Sequence, residues 1–143
     1  MDRHTKRAQA ERVRKHFSKL VERHGFSRTK TTFWTRSRSE HVEFIHLHLY
    51  SFRLAFRVHL GVRVLADSFE AIELNGPDSE HWQSVDLGFG TDPESAARCA
   101  EGLVTYVHEV GLPWLSEWRP SEDLYIGILE QNVARSRQLL GVD

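Results

Sequence analysis

The sequence predicts an α+β domain: an N-terminal helix, an antiparallel β-sheet of about four to five strands, and two C-terminal helices packed on one face. Three observations predict it. Apolar residues recur at three- and four-residue steps through the first two dozen positions, then alternate strictly between about 31 and 64. A capped helical pattern returns after Thr91. Strands grouped between helices, instead of alternating with them, favour an antiparallel sheet covered by helices over a parallel βαβ arrangement.

Helix one is expected from Thr5 to His24. Ala10, Val13, Phe17, Leu20, Val21 and His24 form one apolar stripe, and Gly25 stands where a left-handed residue closes a helix. The run Thr31-Thr32-Phe33-Trp34-Thr35-Arg36 is β-branched and aromatic, which suits a strand. Two further strands follow, Phe44–Tyr50 and Arg53–Val64. With Ser51-Phe52 as the turn, Leu49 faces Leu54, Leu47 faces Phe56 and Ile45 faces Val58, all apolar pairs. That dipeptide lacks the Gly or Asn of a tight hairpin, so a wider connection also fits. Asn75–Ser79 reads as a loop, and His81–Leu87 as a last strand leaving through Gly88–Gly90. Thr91-Asp92-Pro93-Glu94 starts a helix that should end at Gly111, with Pro113 beyond. Pro120-Ser121-Glu122-Asp123 starts another, which closes at Leu140 before Gly141.

A chain of 143 residues, 40% hydrophobic and 27% charged, is enough for one packed domain spanning 1–143 and too apolar for global disorder. Its first residues contain no apolar run of the kind a secretory signal needs, and no later segment approaches the ~20 apolar residues of a membrane span. The single cysteine, Cys99, rules out an internal disulfide and any cysteine-rich zinc site. A cytoplasmic location is therefore expected.

The net charge of −1 conceals an asymmetry. Residues 1–40 hold twelve Lys/Arg against four acids, a net +8; residues 41–143 hold seven against sixteen, a net −9. Arg12, Lys15, Lys19 and Arg23 form a ridge along helix one, which makes it the place for a polyanion such as nucleic acid to dock.

In "HVEFIHLHLY" (41–50), His46 and His48 alternate with apolar residues. The predicted register puts them on one face with Arg53, Arg57 and His59, opposite the leucines, and brings Trp34 or Tyr50 close by. A basic, partly aromatic surface of this kind suits a protein partner first and nucleic acid second. A metal centre at His46, His48 and His59 is a distant third, because the neighbouring arginines oppose a dication and no HExxH or similar spacing occurs. No metal or other cofactor is expected. Nor is a catalytic residue: Cys99 sits among alanines as a packing residue, and no GxSxG occurs. "GFGTD" (88–92) lacks the lysine and glycine spacing of a phosphate loop.

Three segments carry a family resemblance: "HGFSRTKTTFWTR" (24–36), "FRLAFRVHLGVRV" (52–64) and "HWQSVDLGFGTDPESAARCAEGLVTYVHEVGLPWLSEW" (81–118). Their order resembles the small bacterial proteins grouped as domain of unknown function 4304, across roughly residues 6–140. The resemblance implies a soluble α+β domain and suggests roles such as toxin neutralisation (an immunity-like role) or interbacterial conflict. Together with the absent catalytic motifs and the His/Arg face, it makes a non-enzymatic protein that binds another protein the expected function. Where that group often carries Asn and Gln on its paired strands, this chain has His59 and His48.

Overall fold

The computed structural model describes residues 1–39, 41–64, 76–82, 86–119, 137–138 and 140–142. They form an α+β fold: an N-terminal helix, a four-stranded antiparallel sheet in the order β1-β2-β3-β4, and two further helices. Helix α1 (Arg3–Val21) begins two residues before its expected start, because the Asp2 carboxylate caps it by accepting from the Thr5 N–H at 2.8 Å. It tightens into a 3₁₀ turn (Glu22–His24) and closes on Gly25 at φ 85°.

Strand β1 (Ser27–Lys30) has no apolar alternation, so its existence is a tertiary outcome: Thr31-Thr32 turns it back onto β2 (Phe33–Ser37), with a register shift between Arg28 and Lys30. Strands β3 (His41–Leu49) and β4 (Phe56–Val64) pair with Leu49 opposite Phe56, Leu47 opposite Val58 and His46 opposite His59. The connection is wider than two residues and displaces the expected pairing by two. An even displacement leaves every side chain of the paired residues on its expected face, since the side-chain period of a strand is two.

Ile45, Leu47, Val58 and Leu60 point to one side. They pack with Val13 and Phe17 of α1, Trp34, and Leu103 and Tyr106 of α2 (Pro93–Tyr106) in the main core. Phe17 and Trp34 meet edge-on, 4.9 Å between ring centroids, and the Trp34 Nε1–H donates to Ser18 Oγ at 2.8 Å.

The expected stop at Gly111 does not occur. A π-helical turn (Val107–Gly111) runs straight into α3 (Leu112–Glu117), and Gly111 keeps helical angles (φ −69°, ψ −53°). Its missing side chain serves packing instead, because a Cβ there would collide with Leu60. Pro113, with no N–H to give, is accommodated just past the widened turn.

Among the described residues, the expected strand His81–Leu87 is not one. Residues 81–82 form a turn, 83–85 lie outside the described residues, and Gly88 makes an isolated bridge to Ala55. Residues 77–79 and 87–89 nevertheless satisfy the outer edge of β4: Leu60 N–H donates to the Pro77 carbonyl, Ser79 to Val58, Phe56 to Leu87 and Phe89 to Leu54. The expected helix from Pro120 lies outside the described residues as far as 136. Its end is described: Val142 N–H donates to the Arg137 carbonyl and Gly141 (φ 73°) to Gln138, which is a Schellman closure. Leu140 and Val142 there pack on Phe33, Val42 and Phe44, on the sheet face away from α1 and α2. No helix among the described residues is long and apolar enough to cross a membrane.

Candidate functional site

The sheet face opposite the main core divides in two. Its apolar half, Val42 and Phe44, lies under the C-terminal turn. Its other half carries His46, His48, Arg57 and His59, the residues the sequence placed together, but in very different states. His48 is exposed, His46 and Arg57 are partly buried, and His59 is only 7% exposed.

His46 stacks on Phe33 (centroids 4.5 Å) and faces His59 (6.1 Å) and His48 (6.5 Å). Its Nδ1–H donates to the Thr32 carbonyl at 3.1 Å, which fixes the tautomer. Burial drives its pKa down from 6.5 to about 4, against the opposing pull of that carbonyl. Burial, then the Arg57 charge, also lowers His59. His59 Nε2 stands 4.0 Å from Asp78 Oδ2, while its buried Nδ1 has no hydrogen-bond partner among the described residues. Among those residues, no group of three or more His, Cys, Asp or Glu side chains is arranged to hold a metal ion.

Arg57 is already occupied. Its guanidinium pairs with Asp78 (3.1 Å) and Glu80 (3.0 Å), and hydrogen bonding to Asp78 raises its pKa. Two further residues depart from the expected patch. Trp34 aligns with Ile45 across the ladder and is therefore fully buried on the core side, so it belongs to no surface. Arg53 precedes β4, because the connection extends through Ala55, and it is no longer part of the paired histidine face, which it adjoins only through Tyr50, whose ring meets His48 edge-on at 5.7 Å.

Arg53 instead joins a different cluster. Its guanidinium lies over the Tyr50 ring at 4.3 Å, beside Phe52, which is 78% exposed. The start of α1 supplies the other wall. Lys6 Nζ donates to the Tyr50 carbonyl at 3.0 Å, tying helix to turn across 44 residues, and Arg3 and Arg7 flank it. The open groove between them is about 700 Å³. Among the described residues, neither Arg3, Arg7 nor Arg53 forms an ion pair. The result is a basic, aromatic pole whose arginines form no ion pair among the described residues.

Sequence reasoning found Arg53 and Tyr50 but missed Arg3, Lys6, Arg7 and Phe52, which meet only through tertiary contact. A signal was present in Phe52: a large apolar ring in a turn, with no place in either alternating strand.

A second cleft, of about 970 Å³, adjoins the first through Tyr50, Arg53 and Leu54 and reaches Cys99. Burial pushes the Cys99 thiol up to about 12, and its S–H donates to the Leu87 carbonyl at 3.3 Å, which makes it a packing group and a poor nucleophile. Comparison with family models, with curated proteins and with solved structures finds no match to this chain.

Proposed function

We propose that this chain is a non-enzymatic binding protein whose partner is another protein, and that it docks through the pole formed by Arg3, Arg7, Tyr50, Phe52 and Arg53. One observation carries the reading: Phe52, 78% exposed, sits among arginines that form no ion pair among the described residues. Exposing such a ring forgoes roughly 2 kcal/mol of burial, which a partner can recover. Aromatic and Arg side chains are the residues most enriched where proteins bind proteins. The unneutralised charge selects an acidic surface and would speed encounter with it. The resemblance to domain of unknown function 4304 suggests the same class of role, an immunity-like module that neutralises a toxin.

The histidine half of the sheet supports this reading less well. Arg57 is neutralised by Asp78 and Glu80, and His59 is buried.

The test begins by capturing and identifying the partner from the native host. Its affinity is then measured by calorimetry for the parent chain, Phe52→Ala, Arg53→Glu and Arg57→Ala. Phe52→Ala and Arg53→Glu should each weaken binding at least tenfold with an unchanged circular dichroism spectrum, and Arg57→Ala should stay within twofold. Parent-like binding by both pole variants would overturn the proposal.

A further inference from the structure

Helix α1 carries a second basic surface. Arg12, Lys15 and Lys19 are exposed on its solvent side, and Arg23 continues the line in the 3₁₀ turn. At 100° and 1.5 Å per residue these four positions fall within an arc of about 80° and extend over roughly 16 Å. Around the same helix, the pole residues Arg7 and Arg3 stand about 80° and 120° from the nearest ridge residue, Lys15.

The remaining α1 arginine of this region, Arg14, shows what a structural cation looks like here. It is mostly buried and pairs with Glu11, which also holds Arg28 at 2.8 Å. The ridge residues differ. No ion pair is made by any of the four among the described residues, and Arg12 bonds only to Gln9 in its own turn. Glu22, beside them, is exposed and likewise forms no ion pair among the described residues. Like charges at i,i+4 disfavour the helix, and only Lys19 and Arg23, in the last turns of α1 and the 3₁₀ helix, gain from the helix dipole in return.

We propose that this ridge binds the phosphate backbone of double-stranded nucleic acid without reading its sequence. A straight rod of long cationic side chains fits a regular line of phosphates. Two features favour a duplex over other polyanions. The ridge has no aromatic ring for unpaired bases to stack on, apart from the His16 imidazole. It also has no exposed apolar residue to seed a protein interface, in contrast to Phe52 at the pole.

Fluorescence anisotropy with a labelled 20-base-pair DNA duplex of arbitrary sequence, and an RNA duplex of the same length, tests this. With four phosphates neutralised, log K should fall against log salt with a slope of about −3.6, roughly a 150-fold loss between 50 and 200 mM. The double variant Lys15→Glu, Lys19→Glu should weaken binding at least tenfold and flatten the slope. The triple variant Arg3→Ala, Arg7→Ala, Arg53→Ala should remain within threefold of the parent, which separates the ridge from the proposed protein-binding pole. The proposal is overturned by absence of binding to either duplex at 50 mM salt. Equal losses in the two variants would overturn it too, as would affinity for poly-glutamate of matched charge equal to that for duplex.

Discussion

His46 offers the sharpest thermodynamic test of the histidine face. Its pKa in the folded chain, about 4, lies below the ordinary 6.5, so the fold favours the neutral ring. The stabilisation is therefore complete above pH 6.5 and is lost as the pH falls from there towards 4. Depression from 6.5 to about 4, at about 1.4 kcal/mol per pH decade, sets a ceiling near 3.4 kcal/mol. The ring keeps partial contact with solvent, so screening reduces this to about 2 kcal/mol. For a chain of this length, that corresponds to about 4–8 °C in Tm. The perturbation is His46→Phe, which preserves the stacking on Phe33. It also leaves the Thr32 carbonyl satisfied, because that oxygen still accepts from the Leu47 N–H at 3.0 Å. Urea denaturation of both proteins at pH 7 and pH 4 should show the parent losing about 2 kcal/mol more than the variant. An NMR titration should place the His46 midpoint near 4. A midpoint at or above 6, or equal acid losses in the two proteins, would refute the burial argument.

Other consequences follow from packing. Gly111→Ala would drive a methyl group into Leu60, and such overpacking should cost about 1–3 kcal/mol, read as a lower urea midpoint with an unchanged slope. Cys99, buried with its thiol pushed up to about 12, should resist iodoacetamide at pH 8 in the folded chain and react fully once unfolded. Rapid labelling of the native protein would contradict its placement.

The parts of the fold that could be read in advance are those where local pattern and tertiary outcome coincide. The stripe through Val13, Phe17 and Val21 did become the buried face of α1, and Gly25 and Gly141 do take left-handed angles. Alternation through Ile45, Leu47 and Leu49 placed the faces correctly although the register was two residues off, because parity survives an even slip. What could not be read depends on remote partners. Ser27–Lys30 is a strand only because β2 accepts it, and Gly111 looks like a helix stop until Leu60 is seen to fill the space beside it. The site behaved likewise. Patterning gathered His46, His48, Arg57 and His59 on one face, yet it could not show that Asp78 and Glu80 neutralise Arg57, that Trp34 turns to the core, or that Lys6 draws the start of α1 against Tyr50.

Site-directed photo-crosslinking tests the pole most directly. A benzoylphenylalanine placed at position 52, and in a separate protein at position 48 on the histidine face, is irradiated with the partner in the native host. The pole geometry predicts a crosslinked adduct to an acidic partner segment from position 52, weakened by Arg53→Glu, and little or none from position 48. Adducts from position 48 alone would contradict it and return the partner to the sheet.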